Sequence, residues 1–234
     1  MPVYLLSEAL TVPHPRFATR EGLLAVGGDL SLDRLLSAYS HGIFPWFSDG
    51  EPILWWSPDP RLVLFPHEFK VSRSLKKVLN RSRFDITVDS AFRRVITECA
   101  RTRMAKKEPT WIVGDMIDAY CRLHESGFAH SVEAWQEGVL VGGLYGVSLG
   151  KCFFGESMFT TVSNASKVAF ASLVDFLTSH AFHMIDCQVT TRHLVSLGAR
   201  AIPRNRFLKL LQASLKEPAM KGKWQYRFRN SYSL

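Results

Sequence analysis

The sequence predicts an α+β protein: a small N-terminal domain, and a larger domain built on one mostly antiparallel sheet. Three observations carry that prediction. Runs with helical spacing of apolar residues fill the stretch from Ser72 to Gly127. From His130 to Phe159, short apolar runs alternate with the turn-like tripeptides "QEG" and "SLG", which is the texture of an antiparallel meander. A helix-length apolar run and one more short apolar strand follow, so helices and strands segregate along the chain.

The elements are justified in order. Ser31 is a helix N-cap, with Leu32, Leu35, Leu36 and Tyr39 on one face and Gly42 as the stop. The segment "HGIFPWFSDGEPILWWSPDPR", His41 to Arg61, then concentrates three tryptophans and four prolines. Proline fixes φ and removes a backbone donor, so this segment is expected to be irregular and to present its aromatics. Trp55 and Trp56 are expected in the core, and a domain boundary is expected near residue 64, dividing 1–64 from 65–234. "SRSLKKVLNRSR" reads as a helix with Leu75, Val78 and Leu79 inside. "DSAFRRVITECARTR" is a second, capped by Asp89 or Ser90, and "GDMIDAYCRLHESG" a third, closed by Gly127. "HSVEAW", "VLVGGLYGV" and "KCFFGESMF" are strands, with Gly142 and Gly143 marking a bulge or a close backbone approach. "NASKVAFASLVDFLTSH" is a helix capped by Ser163 or Asn164, "HMIDCQV" a strand, and "HLVSLGA" and "NRFLKLLQASL" short helical pieces. This order is compatible with an N-acetyltransferase-like domain.

The chain has 234 residues and a formal net charge of +8, a balance that favours an anionic partner such as nucleic acid. The four cysteines show neither C-x-x-C nor zinc-ligand spacing, so buried free thiols are expected. No signal peptide and no membrane-spanning run is read, and a cytoplasmic location is expected. The histidines form no metal pattern, so no metal is expected. The motifs G-x-S-x-G, G-x-x-x-x-G-K-[ST] and G-x-G-x-x-G do not occur.

Three groups of residues could carry chemistry. In the strand "MIDCQV", alternation puts Asp186 and Gln188 on one side, where a carboxylate can hold an amide in one orientation. Read alone, the pair fits a solvent-facing strand side just as well. In "FFGESMF", Glu156 lies among Phe153, Phe154, Met158 and Phe159, so an ionised carboxylate there needs a partner, either a structural cation or a ligand. The third group is the helix from Arg73 to Arg83, with Arg73, Lys76, Lys77, Arg81 and Arg83 on or near its outer side. That spacing suits phosphates, although such runs are also ordinary solvated faces.

Taken together, "GLLAVGGDLS", "GIFPWFSDGEPILWWSPDPR", "EPTWI", "HSVEAW", "VGGLYGV", "FFGESMF", "NASK" and "IDCQ…HLVSLGA…IPR" occur in one order from about residue 20 to about residue 206. In this the chain resembles the leucyl/phenylalanyl-tRNA–protein transferase family. The resemblance implies transfer of Leu or Phe, less readily Met, from aminoacyl-tRNA to the α-amine of proteins that begin with Arg or Lys, marking them for degradation. It implies an N-acetyltransferase-like larger domain and no cofactor, and a monomer is expected. Residue by residue it implies Asp186 and Gln188 as the catalytic pair, with Asp186 orienting the Gln188 amide toward the attacking amine. A rival mechanism gives the proton shuttle to the 2′-hydroxyl of the terminal adenosine. Glu156 and Asp186 are expected near the cationic acceptor. Leu144, Phe153, Phe154, Met158 and Ile185 are expected to line the pocket for the donor side chain. Trp111 is expected to stack on the terminal adenine, Trp46 to contribute to the site wall, and Arg73, Lys76, Lys77 and Arg81 to hold the acceptor stem.

The chain departs from the family pattern at Thr191, where an Asn is usual, and a hydroxyl replaces one amide hydrogen bond rather than two. Three competing readings remain. An acyl-CoA-dependent acetyltransferase would need a Gly-rich pyrophosphate loop, but "TTVSNASK" has no glycine. A non-catalytic tRNA-binding module would have no need of Asp186 and Gln188 together. A cell-wall aminoacyl transferase shares the donor and differs in the acceptor.

Overall fold

The computed structural model describes residues 3–105 and 110–225. In chain order the elements are β1 (Tyr4–Leu6), β2 (Leu23–Gly27), α1 (Leu32–Ser40), β3 (Phe44–Pro45), β4 (Leu54–Trp56), β5 (Arg61–Leu64), α2 (Arg73–Asn80), β6 (Asp85–Val88), α3 (Phe92–Ala105), α4 (Gly114–Glu125), β7 (Ala129–Gln136), β8 (Val139–Leu149), β9 (Cys152–Thr160), α5 (Ala165–Ser179), β10 (Met184–Gln188), α6 (Arg192–Ser196), β11 (Arg200–Ile202) and α7 (Arg204–Leu215). The fold is α+β. A seven-stranded sheet runs β11-β5-β10-β9-β8-β7-β6, and a four-stranded sheet runs β1-β2-β4-β3. In the large sheet only the β10–β9 pair is parallel.

Local chemistry explains where the helices begin and end. The Ser31 hydroxyl accepts from the Arg34 N–H and opens α1, and the Ser72 hydroxyl accepts from the Leu75 N–H and opens α2. Gly42 closes α1 at φ +73, and a Cβ there would lie 2.8 Å from the Phe207 and Leu208 side chains of α7. Asn164 stands at the start of α5 with φ 70, but its side chain makes no capping bond. The expected cap of α3 is corrected: the Asp89 carboxylate instead accepts from the Ser131 and Trp224 backbone N–H groups and meets His130 Nδ1 at 2.9 Å.

The core lies on both sides of the large sheet. One layer joins α1, α3, α4 and α7 to the small sheet, and it includes Tyr39, Trp55, Tyr120, Phe154 and Phe207. The other joins α2 and α5, through Leu75, Leu79, Phe153, Leu173 and Ile185. The expected boundary at 64 falls at the end of β5, which pairs with β10 and β11 in the large sheet. Trp55 is buried, with its indole N–H on the Gly27 carbonyl, and Trp56 is half-buried with its own on the Trp46 carbonyl. The four cysteines are buried free thiols. No described helix is long and apolar enough to cross a membrane.

Candidate active site

A cavity of about 620 Å³ opens where two strands of the large sheet part. β10 and β9 pair at Met184–Cys152, Ile185–Phe153 and Asp186–Phe154, and their register ends there. Beyond that point each strand carries a bulge. In β9, Tyr145 is opposite Ser157 while Gly146 is opposite Gly155, which leaves Glu156 as the extra residue. In β10 the register shifts between Asp186 and Gln188, and Gln188 adopts φ 61. Bulges re-aim side chains. Here they turn Glu156 and Gln188 toward one another, and the Gln188 amide nitrogen donates to Glu156 Oε1 at 2.8 Å. A side-chain bond thus takes over where the backbone ladder stops.

Glu156 is the centre of a buried network. Tyr39 donates to Oε1 at 2.7 Å, Tyr120 donates to Oε2 at 3.1 Å, and the two phenol oxygens are themselves in hydrogen-bond contact. Burial pushes the Glu156 carboxyl up to about 7, against the three hydrogen bonds that favour its charged form. Burial, with Glu156 beside them, also pushes the Tyr39 and Tyr120 hydroxyls well above their ordinary range, so both stay protonated donors.

Leu144, Phe153, Met158 and Ile185 line the cavity, joined by Phe170 and Leu173 from α5. Trp46 and Trp111 form its outer wall, 5.9 Å apart and edge-on, with the Arg103 guanidinium 4.0 Å over the Trp111 ring. Gln188 and Glu156 line it too, as do Thr191 and His193. A chamber this size, mostly apolar with a few convergent polar groups, has the character of a small-ligand site.

Two expected residues lie elsewhere. Phe154 is fully buried against Tyr39, with ring centroids 5.0 Å apart, and does not line the cavity. Adjacent strand residues face opposite sides, so Phe153 meets the α5 wall of the chamber while Phe154 turns to Tyr39. Asp186, in register with Phe154, also stays outside the lining. Its carboxylate is gripped by Arg61, with Nε on Oδ1 at 2.8 Å and Nη2 on Oδ2 at 2.7 Å. It does hold Gln188, but through the backbone N–H at 2.9 Å. The expected partner of the Gln188 amide is therefore corrected from Asp186 to Glu156.

The basic residues of α2 are likewise apart from the cavity. Arg73, Lys77 and Arg81 are exposed and Lys76 is half-buried on a helix that packs against α5. Tyr39, Tyr120 and Arg61 are site residues the sequence reading did not single out. The available signal was that a buried tyrosine or arginine needs polar partners, but nothing local said which. Among the described residues, no group of three or more His, Cys, Asp and Glu is placed to hold a metal.

A family model described as leucyl/phenylalanyl-tRNA protein transferase matches residues 63–212, and one for the N-terminal domain of those proteins matches residues 28–59. The chain belongs to this family of aminoacyltransferases. A leucyl/phenylalanyl-tRNA–protein transferase of Desulfatibacillum aliphaticivorans is 60% identical over 98% of this chain and 99% of its own. One from Syntrophobacter fumaroxidans is 58% identical over 96% of each. Among solved structures, an aminoglycoside acetyltransferase from a soil metagenome, in complex with sisomicin, is 12% identical with a TM-score of 0.39. That match covers 49% of this chain and 84% of the other, too slight an overlap to inform the site.

Proposed function

We propose that the protein transfers Leu or Phe, less readily Met, from aminoacyl-tRNA to the α-amine of proteins beginning with Arg or Lys, and so marks them for N-degron-dependent degradation in the cytoplasm. The observation that carries this reading is the Glu156–Gln188 hydrogen bond at the floor of a largely apolar cavity. A leucyl or benzyl side chain suits the Leu144, Phe153, Met158, Phe170 and Ile185 lining. The ester carbonyl then lies toward the polar floor.

The donor is an activated ester, so the enzyme's task is alignment, which is worth roughly 7–11 kcal/mol of barrier. The acceptor nitrogen attacks the ester carbonyl, the new C–N bond forms, and the C–O bond to the terminal ribose breaks. The amine's proton ends on the ribose oxygen. Because the Gln188 amide nitrogen is committed to Glu156, its oxygen is left to accept a hydrogen bond from the incoming amine. Glu156 supplies negative charge near a cationic acceptor. Asp186 acts from beneath, on the Gln188 backbone. Trp111 and Trp46 offer ring surface to the terminal adenine, and base–aromatic stacking contributes roughly 1–3 kcal/mol. Arg73, Lys76, Lys77 and Arg81 supply phosphate contacts along the acceptor stem, which position without reading sequence. The protein acts as a monomer.

The direct test incubates the protein with Phe-charged tRNA and a peptide starting with Arg. A phenylalanine mass increment on that peptide, absent when its α-amine is acetylated, is the expected result. No increment on the free-amine peptide would overturn the reading. A donor ending in 2′-deoxyadenosine separates the two proton routes, since it abolishes transfer only if the ribose hydroxyl is the shuttle.

A further inference from the structure

We propose that Arg61 is the positioning residue of the transfer site, one planar cation that fixes both the Gln188 bulge and the aromatic wall of the cavity. The proposal rests on the reading of the cavity as the site of aminoacyl transfer.

The Arg61 side chain is completely buried and each of its three nitrogens donates a hydrogen bond. Nε and Nη2 grip the two oxygens of Asp186, whose own side chain is 0% exposed. Nη1 donates to the Gly42 carbonyl at 3.1 Å. The guanidinium carbon also lies over the rings of Phe44 and Phe207, 4.8 and 4.6 Å from their centroids. The group therefore joins β5, β10, α7 and the segment that leads into β3.

Two consequences meet at the cavity. On one side, Asp186 Oδ1 accepts from both Arg61 Nε and the Gln188 backbone N–H. Gln188 has φ 61, a left-handed conformation that a residue with a Cβ adopts only when its surroundings enforce it. The Arg61–Asp186 pair is that enforcement. On the other side, Gly42 and Phe44 lead directly into Pro45 and Trp46 of the cavity wall. Lysine cannot reproduce this, because a point charge on a flexible stem lacks the planar fork and the stacking faces. Since neither Asp186 oxygen faces the cavity, Asp186 works through the Gln188 backbone and handles no proton in the reaction.

The test compares wild type, Arg61→Lys and Asp186→Asn in steady-state kinetics with Phe-charged tRNA and an Arg peptide, with near-ultraviolet circular dichroism as the check on folding. Arg61→Lys should fold, lose about 100-fold in kcat, the order expected for a misplacement near 1 Å, and raise KM for charged tRNA as the Trp46 wall loosens. Asp186→Asn should lower kcat and keep the acid limb that Glu156 gives to the pH profile of kcat, moved toward lower pH because the Asp186 charge helps raise the Glu156 carboxyl. Hydrogen exchange adds a readout independent of activity. In Arg61→Lys, protection should fall together at residues 42–47 and 186–190. Wild-type kcat in a less stable Arg61→Lys protein would make Arg61 merely structural and overturn the proposal. So would loss of the acid limb in Asp186→Asn, or exchange that changes in one segment alone. If Arg61→Lys does not fold, the Asp186→Asn profile decides. If wild type itself transfers nothing, the functional reading falls, and the exchange measurement still decides whether Arg61 couples the two walls.

Discussion

Glu156 is a carboxylate whose burial works against its charge while three donors work for it. With its carboxyl raised from 4.5 to about 7, the folded protein holds a proton that the unfolded chain has already released between those values. Stability from this group is complete below pH 4.5 and is lost as the pH rises through 7. Denaturant titrations at pH 5 and pH 8 should therefore show wild type losing on the order of 3 kcal/mol more than Glu156→Gln, whose amide does not titrate. The same ionisation governs chemistry. The charged carboxylate accepts from Gln188 and places a negative charge in the chamber, whereas the protonated one supplies the third proton for the Tyr39–Tyr120–Glu156 triangle of contacts and loses that charge. Wild-type kcat should rise with pH through an acid limb near 7, and Glu156→Gln should lack that limb. Gln188→Ala removes the oxygen that the proposed mechanism offers to the amine. It should reduce kcat by about 100-fold and leave the affinity for charged tRNA, measured by filter binding, unchanged.

The site exists because two strands stop pairing, and this is where reading by period fails. The helices at Leu32, Arg73, Phe92 and Gly114 and the β7–β8–β9 meander were legible, because their apolar spacing is regular over a turn or more. β5 and β6 were not, since four-residue strands leave too short a pattern and β5 follows directly on a proline-rich segment. Alternation brought Glu156, Met158 and Gln188 to the cavity but also promised Phe154 and Asp186. The bulges at Glu156 and Gln188 set the actual facing, and they depend on cross-strand register, which one strand's sequence does not contain. Arg61 and Tyr39 were hidden for a similar reason, because their partners lie 125 and 117 positions away. Gly142 and Gly143 were legible as a bulge or a close approach, and a Cβ on Gly142 would indeed lie 2.6 Å from Ala165, but Gly146 was not singled out. A Cβ on Gly146 would lie 2.2 Å from the Phe154 carbonyl oxygen and 2.6 Å from the Phe153 ring, so β8 and β9 would have to separate beside the cavity. Gly146→Ala should cost about 1–3 kcal/mol in urea unfolding and raise KM for Phe-charged tRNA, because Phe153 lines the chamber. Gly114→Ala, with open space around it at the start of α4, should be neutral or slightly stabilising in the same assay.

Across the whole molecule, the division between an apolar chamber and a basic exterior separates chemistry from capture. The net charge of +8 acts at long range on any polyanion, whereas the chamber, of about 620 Å³, acts only on what enters it. α2 anchors in the core through Leu75 and Leu79 and turns Arg73, Lys77 and Arg81 outward, on the α5 side of the sheet. If that face holds the acceptor stem, each phosphate it neutralises releases condensed counterions, and the affinity for charged tRNA must fall steeply with salt. Removing two cations, Arg73→Ala with Lys77→Ala, should flatten the plot of log KM for Phe-charged tRNA against log salt by about 2, roughly one unit per lost contact. KM for the Arg peptide should keep its wild-type salt dependence, because on the proposed reading the acceptor meets Glu156 inside the chamber rather than α2. The measurement is a salt series from about 50 to 200 mM, the range over which several phosphate contacts change affinity by orders of magnitude. A slope equal to wild type's would make the α2 cations an ordinary solvated face and move the tRNA footprint elsewhere on the basic surface.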